Sequence, residues 1–493
     1  MESTHGRAES VLDVIFCKTR QECPEPIKAE VQGSIPKWLQ GTLLRNGPGL
    51  HAVGEMTYNH WFDGLSLIHS FTMKNGKAFT YLSHVVPEFT DNCLINIIKF
   101  GDDYYTSSET NFIRKIDPYS LDTLEKVDYM KYVTVNLATS HPHYDNEGNT
   151  FNMGTSIGDK GRTKYMIFKV PSTVADKDKK KSPLKSAEVV CAIPARHLLS
   201  PSYYHSFGMT ENYIILIEQP LKLDIVKLAT AYFRGVNWAS CIVFQNDEKT
   251  WFHIVDKRTK KPVAEKFYSD ALVFYHHINA YEEDGHIVFD IIAYKDNSLY
   301  DMFYMANLRK TLNLETVLTS APTCKRFVVP LQYDKKAEVG VNLVKIPTTA
   351  TAVKDKNDEI CCHPEILCEG IELPRINYDY NGKKYRYVYA SHVEWRPIPT
   401  QIVKFDTVTK EMLVWNEDMC WPAEPLFVPD PNGKEEDDGI ILSSIVSSDP
   451  KKSSFLLILD AKTFKEVGRA SVNANIHVDL HGIFIPDNNC AMK

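Results

Sequence analysis

The chain has 493 residues, of which 43% are hydrophobic, and a mean hydropathy of -0.28, values typical of a folded protein with a large core. Its net charge of -7 and isoelectric point near 6.2 give no basic excess, which argues against nucleic acid as a partner. The sequence has no apolar run of about 18 residues, and the opening MESTHGRAESVLDVIF carries charges where a secretory signal would be apolar, so we expect a cytosolic protein.

Strand patterns follow one another along most of the chain. Four segments place Asp, Asn or Gly between two runs that resemble strands, which is the pattern of a β-hairpin. In chain order they are HYDNEGNTFNMG (143–154), YEEDGHIVFDIIAY (281–294), NYDYNGKKYRYVYAS (377–391) and KEEDDGIILSSIVS (434–447). These segments predict antiparallel sheet.

A weak repeat also runs through the chain, in which an apolar strand ends in Asp, a turn follows and the chain returns. It occurs at Asp117, Asp256, Asp406 and Asp460. Repeated strand–turn–strand units favour a β-propeller, in which each blade contains such a unit. A pair of β-sandwiches remains an alternative, and no domain boundary stands out.

One segment has a helical pattern. LKLDIVKLATAYFRG (221–235) places Leu221, Ile225, Leu228 and Tyr232 on one apolar stripe. Such a helix either packs on the sheets or dips into a membrane surface.

The 11 cysteines are scattered. The one close group, CCHPEILC with Cys361, Cys362, His363 and Cys368, lacks a second pair at zinc-finger spacing. We interpret the cysteines as reduced thiols.

Four of the 17 histidines lie in apolar or aromatic strand contexts near a turn, and they are His141, His205, His276 and His481. Alone, each is most simply a hydrogen-bonded core residue. Together, they are too far apart in sequence to form a zinc-finger-like site within one short segment. Their spacing instead suits metal ligands that different blades of a propeller bring to its axis. Imidazole ligands suit Zn, Cu, Fe and Ni. The motifs HExxH, GxSxG, GxGxxG and the Walker loop are not found.

Three glutamates, Glu109, Glu372 and Glu424, lie in otherwise uncharged strand contexts. A surface or turn carboxylate is the simplest interpretation of each one. A metal site made only of histidines also needs acceptors for the outer ring nitrogens, because these fix the tautomer and the ring orientation.

Eight segments together resemble the carotenoid cleavage oxygenases: LLRNGPG, YNHWFDGL, SETNFIRKID, NLATSHPHYD, PSYYHSFGMT, ELPRINY, PAEPLFVP and DLHGIF. The similarity extends over nearly the whole chain and implies one domain spanning residues 1–493. That domain would be an all-β, seven-bladed β-propeller, with a cap of loops and helices over its metal face.

The resemblance also implies a non-haem Fe(II) on the propeller axis. Its four ligands would be His141, His205, His276 and His481, whereas the neighbours His143 and His277 would not bind. Glu109, Glu372 and Glu424 would orient His205, His276 and His481 in that order, and His141 would have no glutamate partner.

The implied reaction is cleavage of beta-carotene at its central double bond with O2, giving two molecules of retinal. A polyene has no acidic proton and no leaving group, so it needs activated oxygen rather than acid–base catalysis. Family members that cleave carotenoids eccentrically or isomerise retinoids would share the same ligands, and an inactive carotenoid-binding chain is a third possibility. The expected partners are O2, a carotenoid and, through residues 221–235, a membrane or lipid-droplet surface; we expect a monomer.

One departure from the family pattern follows Phe79. The chain passes directly into TYLSHVVPEFTDNC, where the family has additional residues that include strands of the first blades. The sequence therefore predicts a shortened form, such as a splice variant, whose first blades are incomplete.

Overall fold

The computed structural model describes residues 15–16, 20–53, 56–85, 91–158, 162–173, 182–234, 238–312, 318–393, 399–474 and 476–487. The first strands are β1 Cys23–Lys28, β2 Glu30–Gly33, β3 Gly41–Leu50, β4 Ala52–Val53, β5 Met56–Thr57, β6 Leu65–Lys74, β7 Lys77–His84, β8 Asn96–Phe100, β9 Asp103–Ser107, β10 Phe112–Ile116, β11 Thr123–Asp128, β12 Leu137–Ala138 and β13 His143–Tyr144. They are followed by β14 Thr150–Ile157, β15 Thr163–Val170, β16 Glu188–Pro194, β17 Gly208–Met209, β18 Tyr213–Glu218, β19 Leu221–Leu223, β20 Ile242–Phe244, β21 Thr250–Asp256, β22 Lys261–Pro262, β23 Phe267–Ser269, β24 Val273–Glu283, β25 His286–Tyr294 and β26 Thr323–Pro330. The last strands are β27 Thr351–Lys354, β28 Ile360–His363, β29 Glu365–Glu369, β30 Ile371–Arg375, β31 Tyr387–His392, β32 Gln401–Asp406, β33 Met412–Trp415, β34 Cys420–Pro422, β35 Leu426–Pro429, β36 Gly439–Ser447, β37 Phe455–Asp460, β38 Glu466–Ser471 and β39 His481–Pro486. The α-helices are α1 Ile225–Arg234, α2 Ser298–Met302 and α3 Met305–Leu312.

The larger sheets follow one another along the chain, each built mostly from neighbouring antiparallel strands. Their strand orders are β1-β7-β6-β3-β39; β11-β10-β9-β8; β12-β14-β15-β16, with β13 on β14; β17-β18-β21-β23-β28-β27, with β22 on β21; β24-β25-β26-β29; β30-β31-β32-β33; and β2-β38-β37-β36-β34, with β35 on β36. Such a succession of sheets is the architecture of a β-propeller. The prediction of an all-β propeller is confirmed, and the alternative of two sandwiches is wrong.

The two ends of the chain close the ring of sheets. The last strand, β39, pairs with β3 near the start, and β2 pairs with β38 near the end. At the first of these contacts Gly482 lies opposite Arg45, where a side-chain Cβ would lie 2.0 Å from the Leu44 carbonyl oxygen. A glycine is therefore required for this close approach, and the same pairing places His481 opposite Asn46, the residue after Arg45.

The point of shortening after Phe79 lies inside a strand. β7 pairs antiparallel with β6, from Leu67 opposite His84 to Lys74 opposite Lys77, and its other edge pairs with β1. The sheet that contains β7 has five strands, and the next sheet has four. The expectation of incomplete first blades is therefore wrong for the described residues, because the segment after Phe79 supplies the strand.

The predicted strand–turn–strand repeat is confirmed at all four positions. Each Asp joins two antiparallel strands, and its carboxylate accepts backbone N–H groups of the turn. The residue four positions later has positive φ and donates its N–H to the Asp carbonyl; the pairs are Leu121 to Asp117, Lys260 to Asp256, Lys410 to Asp406 and Phe464 to Asp460. The weak sequence repeat is thus one turn type used four times.

Two sequence-based assignments need correction. In the segment 377–391, Tyr378–Tyr380 forms a short 3-10 turn, and the partner of β31 is β30. In the segment 221–235 the helix begins at Ile225, whereas Leu221 is fully buried in β19. The side chain of Tyr232 lies outside the described part. None of the helices in the described ranges is both long and apolar enough to span a membrane.

Candidate metal centre

The four predicted histidines come from four separate parts of the propeller. His141 lies in the loop between β12 and β13, His205 in the loop before β17, His276 in β24 at a break in register, and His481 at the start of β39. The structure brings them together: one ligand nitrogen from each lies within 4.8 Å of all the others. Within the described part of the chain, this is the one group of ligand atoms that could hold a metal ion.

The inner ring nitrogens of the four histidines lie close together. The Nε2 atoms of His141 and His205 are 2.9 Å apart, and those of His276 and His481 are 3.4 Å apart. Because the Nδ1 atoms of His205, His276 and His481 face carboxylates, they carry the protons and leave Nε2 unprotonated. Lone pairs that converge in this way fit a bound metal ion.

Burial keeps the imidazoles of His141 and His481 neutral. It lowers the pKa of His141 well below its ordinary value, and the three neighbouring imidazoles and Arg375 lower it further. Burial also lowers the pKa of His481 to about 3, although Glu424 acts in the opposite direction. Since neutral imidazole is the form that binds metal, both side chains are ready as ligands at neutral pH.

Three of the four histidines donate a hydrogen bond from Nδ1 to a glutamate. The pairs are His205 to Glu109 at 2.5 Å, His276 to Glu372 at 2.6 Å and His481 to Glu424 at 2.7 Å. Outer hydrogen bonds of this kind fix the tautomer and orientation of metal-binding histidines. The described contacts of His141 include no glutamate.

Glu109 and Glu372 are held by neutral donors. The Tyr203 hydroxyl donates to both oxygens of Glu109, at 2.9 and 3.0 Å. The Tyr294 hydroxyl and the backbone N–H of Leu373 each donate to Glu372 at 2.7 Å. Burial alone would raise the pKa of Glu372, but the adjacent imidazole and these hydrogen bonds outweigh it and lower the pKa.

Glu424 is held by two cations instead. Arg45 Nη1 contacts Oε2 at 2.8 Å, and Arg375 Nε contacts Oε1 at 2.8 Å. Arg45 also donates from Nε to Asp479 at 2.7 Å. Burial would raise the pKa of Glu424, but Arg375, His481 and Arg45 outweigh it and hold the pKa well below its ordinary value.

The charges around the ring suit a divalent cation. Arg45 and Arg375 balance Asp479 and Glu424, whereas Glu109 and Glu372 have no cationic side chain among the contacts just described. Two negative charges are therefore uncompensated next to four imidazole nitrogens. A divalent metal ion would neutralise both charges, so the residues present fit such an ion.

A cavity of about 830 Å³ lies against the ring. His205, His276 and His481 form part of its wall. Most of the remaining wall is aromatic or aliphatic and includes Phe16, Trp61, Phe62, Leu65, Ile95, Leu228, Trp238, Leu299, Tyr300, Phe303 and Val393. Because Leu228 belongs to α1 and Leu299 and Tyr300 to α2, these helices cover the metal face. The volume is within the usual range for small-molecule sites, ~300–1,000 Å³.

The nearby histidines His143 and His277 do not join the group of converging nitrogens. His143 Nε2 donates to the Phe207 carbonyl at 2.8 Å. His277 is packed among core residues, and neither of its ring nitrogens has a hydrogen-bond partner among the described residues. Cys361, Cys362, His363 and Cys368 likewise do not converge on one point in the described structure.

Sequence reasoning missed Arg45, Arg375 and Asp479. All three lie inside segments that carry the family resemblance, LLRNGPG, ELPRINY and DLHGIF. A charged residue in a strand pattern normally faces solvent, so the pattern gave no sign that these side chains surround Glu424.

Comparisons with known proteins agree with this geometry. A family model described as retinal pigment epithelial membrane protein matches residues 16–87 and 80–486. Beta,beta-carotene 15,15'-dioxygenase of Gallus gallus is 65% identical, and the alignment covers 97% of this chain and 99% of the chicken protein. The Homo sapiens protein of the same name is 59% identical, with 97% of this chain and 95% of that protein covered. The alignment with the chicken protein extends over 520 positions, so this relative has residues that the 493-residue chain lacks.

Solved structures agree with the fold. A mutant of the Synechocystis apocarotenoid oxygenase superimposes with a TM-score of 0.74 at 20% identity, covering 97% of this chain and 99% of that one. At this identity the likeness supports the propeller alone. The match to the family model and the 65% identity to the chicken protein are decisive for the family. The chain belongs to the RPE65 family of carotenoid oxygenases.

Proposed function

We propose that this protein is a dioxygenase that cleaves beta-carotene at its central double bond with O2 and releases two molecules of retinal. The observation that carries the proposal is the ring of four histidine nitrogens, three of whose side chains line a largely apolar cavity. The names of the chicken and human relatives support the choice of substrate and bond.

The metal we propose is Fe(II), with His141, His205, His276 and His481 as its ligands. Four neutral imidazoles suit iron among the divalent transition metals and leave two positions of an octahedral ion for other ligands. The chemistry that Fe(II) would supply here is the activation of O2 beside one double bond.

The protein's own residues would place and protect the reacting bond. The aromatic and aliphatic wall would exclude water and bind the polyene, while His205, His276 and His481 line the same cavity. The carboxylates of Glu109, Glu372 and Glu424 would hold the outer protons of His205, His276 and His481 and so keep these three Nε2 atoms directed inward.

The decisive experiment is product analysis with the full chain, purified anaerobically with Fe(II). Beta-carotene in detergent micelles is added under O2, and products are separated by chromatography after the iron content has been measured. Retinal alone is the expected result. Apocarotenals of unequal length would instead identify an eccentric cleavage enzyme.

Two variants connect the product to the ring. His276→Ala should lose both bound iron and activity. His277→Leu, at the adjacent half-buried position outside the ring, should retain iron. An iron-loaded His276→Ala protein would contradict the proposed ligand set.

An inactive carotenoid-binding protein is the second candidate, and the residues missing relative to the chicken protein are the observation that favours it. This form would retain iron and bind carotenoid without producing an aldehyde. Retention of the carotenoid absorption spectrum by an iron-loaded protein under O2 would identify it.

We also propose a peripheral contact with a membrane or lipid droplet at α1. Exposed apolar side chains lie on α1 and on the segments beside it: Leu198, Leu199, Val226 and Val243. The N–H of Ile225 donates to the Leu199 carbonyl at 3.2 Å, and Leu228 of the same helix lines the cavity. An apolar surface at this position would let a carotenoid pass from lipid into the cavity.

Vesicle sedimentation tests this contact. The parent protein should pellet with phosphatidylcholine vesicles, and Leu199→Asp combined with Val226→Asp should remain in the supernatant. Leu413→Asp combined with Val414→Asp, on exposed β33, is the matched control and should pellet like the parent. Equal sedimentation of all three proteins would contradict the proposal.

We further infer that the chain is a monomeric, cytosolic protein with a single seven-bladed domain over residues 1–493. The blade count is supported by the sheets that have four or more strands, and the single domain by the pairing of β39 with β3. An experimental structure would test the blade count, and light scattering after gel filtration would test the monomer.

A further inference from the structure

Two cysteines face each other on neighbouring strands, away from the histidine ring. Cys324 in β26 lies directly opposite Cys368 in the antiparallel strand β29. Side chains of directly opposed residues project from the same face of a sheet and meet. Cys324 is fully buried, whereas Cys368 is half-buried and packs against the same core cluster from its partly exposed side.

The backbone geometry suits a bond between the two sulfur atoms. The Gly370 N–H donates to the Pro322 carbonyl at 2.8 Å, two positions along the same ladder. Because hydrogen-bonded pairs alternate along an antiparallel ladder, Cys324 and Cys368 form such a pair, with a Cα separation of about 5.5 Å. Disulfides span Cα separations of about 4.4–6.8 Å, so the Cα spacing allows the bond. The Cβ atoms of a hydrogen-bonded pair lie about 5.5 Å apart, against about 3.5–4.5 Å in a disulfide, so the two strands must approach by about 1 Å. The register shift that follows Cys324 interrupts the ladder where this movement is needed. A hydrogen bond that the Cys324 S–H donates to Cys368, together with burial, raises the pKa of the Cys324 thiol well above its ordinary value, which also indicates that the sulfurs are close.

We propose that Cys324 and Cys368 form a reversible disulfide when the protein meets a peroxide. The more accessible Cys368 thiolate attacks one peroxide oxygen and becomes a sulfenic acid, and the other oxygen leaves as water. The Cys324 sulfur then attacks the Cys368 sulfur, and the sulfenic oxygen leaves as a second water. Two thiols lose two electrons and two protons, and hydrogen peroxide is reduced to two waters. A dithiol reductant reverses the bond by thiol–disulfide exchange.

The bridge would stabilise the sheet that carries His276. It would connect the two strands at the outer edge of this sheet, and the chain between Cys324 and Cys368 would become a closed loop in the unfolded state. Shortly after Cys368 the chain turns at Gly370 into β30, which carries Glu372. Oxidation would therefore fix the strand that leads to the carboxylate partner of His276.

Mass spectrometry tests the bond directly. The full chain is treated with hydrogen peroxide, free thiols are blocked, and the protein is digested without reductant. The expected product is one cross-linked peptide pair containing Cys324 and Cys368, which separates on reduction. Peroxide treatment that leaves Cys324 as a free thiol, or that takes Cys368 only to sulfinic acid, would overturn the proposal.

Thermal melting gives a second measurement and includes a matched control. Peroxide should raise the melting temperature of the parent protein by several degrees, and reductant should restore it. Cys368→Ser should show no rise. Cys361→Ser should behave like the parent, because Cys361 is also half-buried but lies opposite Val353 and Tyr268 rather than a cysteine. A rise in Cys368→Ser equal to that of the parent would contradict the proposal.

Discussion

At the scale of single residues, the three glutamates behind the ring differ in what holds them. Glu424 contacts two guanidinium groups, whereas Glu109 accepts from a tyrosine hydroxyl and from His205. Removing the charge of Glu424 would leave Arg45 and Arg375 without their shared carboxylate in a buried site. Breaking a buried ion pair on one side costs about 3–5 kcal/mol. The same change at Glu109 leaves no cationic side chain without its partner, because Glu109 contacts only Tyr203 and His205 among the described hydrogen bonds.

We therefore expect Glu424→Gln to lower the free energy of unfolding by about 3 kcal/mol or more. Glu109→Gln, the matched control, should cost about 1 kcal/mol, because an amide oxygen still accepts from Tyr203 and His205. Both variants should bind Fe(II) about 10–100-fold more weakly, as expected when the partner of a metal ligand is changed. Urea unfolding and iron titration provide the two measurements, and equal losses of stability would contradict the argument.

The limit of sequence reasoning is clearest for these side chains. The strand and turn contexts of His141, His205, His276 and His481 separated them from the other histidines, but their joint role came from the family resemblance. Arg45 and Arg375 could not be found in this way, because their burial depends on the closure of the ring by β39. Arg45 and Arg375 are 379 and 49 residues away from Glu424 in the sequence, so their contacts with it produce no local sequence pattern.

At the scale of elements, local turn chemistry was predictable and strand order was not. The Asp of each repeat forms hydrogen bonds within its own turn, so a few residues determine the structure. By contrast, Tyr378–Tyr380 has strand-like residues, but the Asn377 side chain accepts the Asp379 N–H and favours a 3-10 turn. The sequence pattern placed the start of α1 too early, at Leu221. This residue continues the apolar stripe of the helix, but in the structure it belongs to β19.

The strand β7 is the element on which the shortened chain depends. Ala78, Thr80 and Leu82 of this strand are buried, with Leu82 1% exposed. If β7 completes its sheet, Leu82→Ala creates a cavity and should cost about 2–5 kcal/mol of unfolding free energy. Ser83→Ala, at the half-buried neighbouring position, should change it by less than about 0.5 kcal/mol. A Leu82→Ala protein as stable as the parent would show that the segment after Phe79 does not pack as a strand.

At the scale of the whole molecule, the proposed metal centre links sheets that are distant in sequence. The four histidines lie in or next to the strands β13, β17, β24 and β39, so a bound ion would connect four different sheets. A ligand that binds only the folded state stabilises it by mass action. We expect removal of iron with a chelator to lower the melting temperature and re-addition to restore it. In His276→Ala, the same treatment should have no effect.

Acid should destabilise the fold through histidines outside the ring. Burial lowers the pKa of His51 and His60 to about 4 and, together with Arg45, that of His69 to about 3. In the unfolded chain these groups titrate near 6.5. As the pH falls below 6.5, the unfolded state therefore binds protons that the folded state excludes. The free energy of unfolding decreases by about 1.4 kcal/mol per histidine and pH unit until the pH reaches the folded pKa.

His69→Leu isolates one of these contributions from the histidines of the metal ring. The variant loses the hydrogen bond between His69 and Thr80, so it should be less stable than the parent at pH 7.5. Since it also lacks the titrating group, the difference in unfolding free energy between variant and parent should move in favour of the variant by about 1 kcal/mol at pH 5.5. Urea unfolding of both proteins at the two pH values measures this change. A difference that does not depend on pH would mean that His69 has the same pKa in the folded and the unfolded protein.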